Sequence, residues 1–173
     1  LDRLIKCGIK SKATDIFRVS TECPFLWLEK LDEIFKIHLD NQNDITVTDN
    51  LPEGTTIEIF KLDTLKNIHQ NCEKKYKSEI FTRYARNNIN EFKVKVIEPP
   101  KNLQRIDIRL TVDYPEDLTL CRIIYKKFIN EAPIISIAKI INFLDEFEEL
   151  KNLVKERINS TQTLMWQNYK DKI

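Results

Sequence analysis

Asp113 is the residue in this sequence best placed to do chemistry. It closes the stretch Asp107-Ile108-Arg109-Leu110-Thr111-Val112-Asp113-Tyr114-Pro115-Glu116-Asp117, in which Ile108, Leu110 and Val112 alternate with polar partners, as a short strand requires. Pro115 blocks further pairing and suits the first turn of a helix. The acids on both sides of it complement the positive end of a helix dipole. Asp113 is therefore expected where a strand stops and a helix starts, the edge at which open α/β sheets bind ligands. The same residue, with Glu116 three positions on, also makes a plausible helix-capping pair that requires no ligand.

Other reactive side chains offer less. His38 and His69 each fall in a predicted helix without a matching ligand nearby. Cys7, Cys23, Cys72 and Cys121 lie far apart without metal-type spacing and read as reduced, mostly buried thiols of a cytoplasmic protein. Gly8 and Gly54 are the only glycines, so no glycine-rich loop is present to cradle a phosphate.

The elements that must position these groups follow from composition and periodicity. The 173 residues are 42% hydrophobic and 32% charged, which describes a single globular domain large enough to bury a core. A net charge of +1 gives no reason to expect nucleic acid or an anionic membrane as partner. No apolar run approaches the roughly 18 residues a membrane span needs, and no secretory leader is read.

Leu1 to Lys10 fits a helix ending near Gly8, and Asp15-Ile16-Phe17-Arg18-Val19 a buried strand stopped before Pro24. Leu28 to Leu39 has the apolar spacing of an amphipathic helix. Ile45 to Thr48 and Thr56 to Phe60 read as strands flanking a loop in which Gly54 takes a positive φ. Helices are expected over Leu62–Cys72, with Asp63 or Thr64 as cap, and over Lys77–Asn88. A strand over Phe92–Ile97 leads through Pro99-Pro100 into the Asp113 stretch. Leu118 to Ile129 is a helix facing the sheet, and Ser136 caps another that holds Ile140, Ile141, Phe143 and Leu144. The tail from residue 150 carries scattered apolar residues and reads as a long helix that docks on a partner subunit or covers the domain's own edge. Alternating helices and strands indicate an α/β sheet.

Leu-Thr-Val-Asp-Tyr-Pro-Glu-Asp-Leu at residues 110–118 resembles the "TVDxPEDL" signature of the cytidylyltransferases that activate sugars, the spore-coat polysaccharide biosynthesis protein F type, with the CMP-sialic acid and CMP-KDO synthetases as more distant kin. Four further segments follow that family's order. Leu1-Asp2-Arg3 and residues 16–26 resemble "LDR…IVRVTGDCPL", residues 52–60 resemble "PxGLxVEVF", residues 78–85 resemble "REHVTxYI", and residues 136–150 resemble "SLEDIIxFLDENPEL". The resemblance implies a mixed-sheet, Rossmann-like fold of the GT-A, nucleotide-diphospho-sugar transferase type. It also implies that the family's first strands and nucleotide-gripping loop lie outside these 173 residues.

The implied reaction transfers CMP from CTP to a sugar or sugar acid and releases pyrophosphate. Carried over by position, Asp113 and Glu22 become the ligands of the magnesium that accompanies CTP, and Arg18, Glu58, Thr82 and Tyr84 the residues that border substrate. A cytoplasmic homodimer is the expected state. Glu22 stands where the family has Asp, one methylene shorter. Ser78 and Ile80 replace an Arg and a His suited to holding an anionic or hydroxylated ligand. Read without the resemblance, Glu22 is a solvated acid at a strand end and Glu58 the solvent side of an alternating strand. The departures leave a second reading open, in which the chain is a degenerate, non-catalytic module for dimerisation or scaffolding within a larger protein.

Overall fold

The computed structural model describes residues 1–77 and 81–158. The described strands are β1 (Asp15–Arg18), β2 (Ile45–Thr48), β3 (Glu58–Lys61) and β4 (Val94–Ile97), and they form one sheet in the order β1-β3-β2-β4. β3 runs antiparallel to both β1 and β2, whereas β4 is parallel to β2. Seven α-helices surround it among the described residues: α1 (Asp2–Ser11), α2 (Leu31–Asp40), α3 (Leu62–Asn71), α4 (Phe81–Asn87), α5 (Pro115–Lys127), α6 (Ile137–Glu146) and α7 (Glu148–Asn152). None of the described helices is long and apolar enough to cross a membrane.

Strand alternation divides the core between the two faces of the sheet. Ile59 of β3 joins a cluster with Ile34 of α2, Leu120 and Ile124 of α5, and Ile140 and Leu144 of α6. Its neighbour Phe60 points the other way, into a cluster with Ile5 of α1, Leu65 and Ile68 of α3, and Phe81 of α4. A mixed sheet covered by helices on both faces is the α/β architecture that the sequence indicates.

Several boundaries shift for physical reasons. α1 continues past Gly8 to Ser11, and Lys12, at φ 55°, ends it in the left-handed conformation. Gly8 serves packing instead: a Cβ there would lie 2.8 Å from Leu62 Cδ1 and 2.9 Å from Ile16 Cδ1. α3 starts after Lys61 without a side-chain cap, so neither Asp63 nor Thr64 plays that part, and Ser136 precedes α6 without a capping bond. The expected long terminal helix is interrupted, since α7 ends at Asn152 and a separate 3₁₀ turn spans Lys155–Arg157. The remainder of that expected helix, from residue 159, and the departures at Ser78 and Ile80 lie outside the described residues.

The segment from Asp107 to Asp113 departs most from expectation. It is extended but belongs to no ladder, pairing with Glu53 through a single bridge at Arg109. Its alternation does not mark an inner and an outer face, because Arg109 and Thr111 are buried along with Ile108 and Leu110. Its backbone is bonded to two loops in turn. Glu53 N–H donates to the Ile108 carbonyl and Leu110 N–H to that of Glu53, while Val112 N–H donates to the Glu22 carbonyl.

Gly54 permits the first of these junctions. At φ 87° it takes the positive φ expected of it, and a Cβ there would stand 2.7 Å from Thr111 N and 2.9 Å from the Leu110 carbonyl carbon. Gly54→Ala should therefore cost at least the roughly 1–2 kcal/mol of a left-handed L-residue, with added loss from the backbone clash. Chemical denaturation measures this, and an unchanged midpoint would show that the close approach is not required.

Candidate functional site

One buried guanidinium organises the end of the Asp113 stretch. Arg109 Nε and Nη2 donate to the two oxygens of Asp117, each at 3.0 Å. Nη2 also reaches Asp113 Oδ2 at 2.5 Å, and Nη1 lies 2.7 Å from Glu53 Oε1. Asp117 occupies the third position of α5, and its Oδ2 accepts from the N–H groups of Asp113 (3.0 Å) and Tyr114 (3.1 Å). Asp117 thus closes the helix start, in the place where the sequence suggested Asp113 with Glu116. Tyr114 is the N-cap residue and Pro115 the first helical residue.

Burial alone would push the Asp117 carboxyl up, but the Arg109 fork and the two backbone donors outweigh it and hold the group below the usual carboxylate range. Burial works against the Arg109 charge too, and Asp117 and Glu53 overcome it, so its pKa is raised.

Asp113 is the exposed member of this cluster. Its side chain is 49% exposed, against 26% for Glu53 and 0% for Asp117. The bond from Val112 N–H to the Glu22 carbonyl, 2.8 Å, and a longer one from Thr111 Oγ1 to the same oxygen, 3.3 Å, bring the backbone of Glu22 beside the residue preceding Asp113. The Glu22 side chain is exposed and accepts from Thr21 Oγ1 at 2.9 Å. Its own backbone N–H and Thr21 lower its pKa. Cys23 follows Glu22 in the chain, and burial is the chief cause that pushes its thiol up.

Glu22 opens onto a cleft of about 670 Å³ between α1 and the loop after β1, lined also by Arg3, Arg18, Thr21, Lys77 and Phe81. Arg18 is fixed within it. It stands opposite Glu58 in the β1–β3 register, pairs with Glu58 Oε2 at 2.5 Å, and lies 5.5 Å from the centre of the Phe81 ring. Glu58 therefore borders the cleft through Arg18 rather than facing open solvent.

Thr82 and Tyr84 are not brought to this cleft: Thr82 is buried, and Tyr84 packs into the core beside Tyr76, ring centres 6.0 Å apart. The α4 residue that reaches the cleft is Phe81. Arg109 is the member of this cluster that the sequence reading missed. Its signal is the four-residue spacing of Arg109, Asp113 and Asp117 across a strand-to-helix turn.

No cluster of three or more His, Cys, Asp or Glu side chains among the described residues could hold a metal ion. Glu22 and Asp113 each present an exposed carboxylate, a hard oxygen donor. That suits magnesium, which takes one or two carboxylates from protein and keeps water and substrate oxygens in its remaining positions.

The sequence pattern of the cytidylyltransferase family matches residues 2–167. The chain belongs to that family. It is 34% identical over 155 residues to an uncharacterised protein of Methanocaldococcus jannaschii, covering 88% of this chain and 62% of that protein. It is 31% identical over 147 residues to the spore coat polysaccharide biosynthesis protein SpsF of Bacillus subtilis, covering 84% of this chain and 60% of SpsF. The chain thus spans about three fifths of the length of these curated relatives. A cytidylyltransferase structure from Leptospira borgpetersenii superposes with a TM-score of 0.75 at 23% identity, covering 86% of this chain and 63% of that one. That likeness establishes the shared fold.

Asp117→Asn tests the cluster. Removing one partner of a buried pair typically costs about 3–5 kcal/mol. Because the folded-state pKa of Asp117 is depressed, its charge stabilises the fold above the ordinary carboxylate pKa of about 4, and that contribution disappears as pH falls through the lower folded value. The stability difference between wild type and Asp117→Asn in urea should be full at pH 7 and shrink steadily below pH ~4. A difference constant with pH would mean the Asp117 charge contributes nothing.

Proposed function

We propose that this chain is the greater part of a cytidylyltransferase that moves CMP from CTP to a sugar or sugar acid for surface polysaccharide biosynthesis, releasing pyrophosphate. The observation that carries the reading is the bond from Val112 N–H to the Glu22 carbonyl, which ties the segment that ends in the signature acid Asp113 to the loop bearing Glu22 on the wall of a cleft of about 670 Å³. The family match over residues 2–167 and the likeness to SpsF support it. The four cysteines are free, which favours a reducing, cytoplasmic setting.

In this mechanism a sugar hydroxyl attacks the α-phosphorus of CTP in line. A new oxygen–phosphorus bond forms, the bond to the bridging oxygen breaks, pyrophosphate leaves, and the hydroxyl proton is released. Catalysis of this kind rests on positioning and on stabilising charge. Arg18, immobilised by Glu58 and Phe81, offers a fixed cation to an anionic substrate group, and Arg3 and Lys77 add positive charge to the same cleft. Glu22 and Asp113 are the residues that would hold magnesium, whose chemistry when bound is to neutralise charge on the phosphates.

The test is pyrophosphate release by the chain, and by any longer protein that contains it, supplied with CTP, magnesium and a panel of neutral and acidic sugars. Asp113→Asn and Glu22→Gln should each lower the rate by about 10²-fold or more, the scale of a lost charge-stabilising contact. Wild-type rates in both variants would remove the assigned acids from the mechanism. No release, together with no heat on titration with CTP and magnesium, would favour the non-catalytic module.

A further inference from the structure

Arg109 does more than hold the fold together: we infer that it is the positioning residue of the metal-binding acid, holding one oxygen of Asp113 and leaving the other for a divalent cation. The inference rests on the proposed role of Asp113.

Three carboxylates, those of Glu53, Asp113 and Asp117, face this one guanidinium. Two negative charges are thus left over, and Glu53 Oε2 is buried without a hydrogen-bond partner. Of the three acids, Asp113 is the one most open to solvent.

The geometry at Asp113 suits a cation there. Its main chain is fixed by the N–H bond to Asp117 and its Oδ2 by Arg109. The carboxylate therefore has a set orientation, and one of its oxygens is already occupied. A metal arriving from solvent meets a single available oxygen, which enforces one-oxygen ligation. Magnesium, with its strict octahedral demand, is suited by this better than calcium, which accepts two oxygens of one carboxylate. Outer partners of a ligating carboxylate typically change metal affinity by about 10–100-fold when altered.

Mn²⁺ serves as the probe, its free concentration read by electron paramagnetic resonance during titration of the full chain. Arg109→Lys keeps the charge but loses the fork, and should weaken Mn²⁺ binding by about 10–100-fold. Should Arg109→Lys fail to fold, judged by near-ultraviolet circular dichroism, Glu53→Gln gives a second reading. It removes a competing carboxylate and so strengthens the hold of Arg109 on Asp113; Mn²⁺ binding should be kept or tightened even though a nearby negative charge is lost. Unchanged or tighter binding in folded Arg109→Lys, or weakened binding in folded Glu53→Gln, overturns the inference and leaves Arg109 a purely structural residue. Asp113→Asn separates the two questions. If it alone abolishes Mn²⁺ binding, the role of Asp113 stands while that of Arg109 falls. If it binds Mn²⁺ like wild type, the underlying assignment of Asp113 fails.

Discussion

A guanidinium buried against three carboxylates sets the geometry of the middle of this protein. Arg109 is 3% exposed, a burial that arginine reaches only when its charge is met by partners. A buried ion pair adds little net stability compared with apolar packing, but losing one partner is costly. The cluster is therefore better understood as a constraint on arrangement. It requires the loop of Glu53, the extended segment before Asp113 and the first turn of α5 to meet at one point.

That constraint substitutes for a strand ladder. Residues 107–113 make one bridge to Glu53 and a junction with the loop at Glu22, too few main-chain bonds to fix a register by themselves. Side chains complete the task. Arg109 ties the segment to Glu53 and Asp117, Cys121 packs in the core beside Leu110, and upstream Arg105 forks onto Asp107 while reaching Asp145 of α6 at 2.5 Å. Arg105 holds the Asp145 carboxyl down to about 2. Two arginines four residues apart thus anchor both ends of the segment, to α6 on one side and to α5 on the other.

What the sequence made legible follows the strength of each local signal. β3, β4, α5 and α6 were readable from periodicity, because the spacing of apolar residues records the face each buries, whereas β2, buried on both faces, was readable as a short β-branched run after a turn. Pro115 at the first helical position was readable because only that position tolerates its missing N–H without loss. Segment 107–113 was misread because alternation marks a half-buried strand, and here the polar residues are buried as well. No periodicity distinguishes an Arg that faces water from one that faces three acids. Gly8 was misread as a helix end because its role is contact with Leu62 and Ile16, residues distant in sequence. For the site, Glu22 and Asp113 came from a resemblance and not from pattern alone. The inward turn of Thr82 and Tyr84 depends on how α4 lies against the sheet, which a single sequence does not record.

The ion pair in the cleft and the ion pairs of the Asp113 segment are held by different means, and the difference bears on how each can move. Arg18 and Glu58 are directly opposed partners in an antiparallel ladder, their side chains 20% and 15% exposed. The strands fix where that pair sits, and the pair then fixes which way the guanidinium points. Arg109 and Asp113 sit at the end of a segment with no ladder, so there the ion pairs themselves supply the fixing. In the first arrangement the ladder holds the backbone under both side chains, so the guanidinium can swing only by breaking its bond to Glu58. In the second, the Asp113 carboxylate takes its orientation from a guanidinium that is itself held by Asp117 and Glu53. A cation whose base is fixed by a ladder and a carboxylate fixed only through ion pairs therefore differ in what must break before either moves.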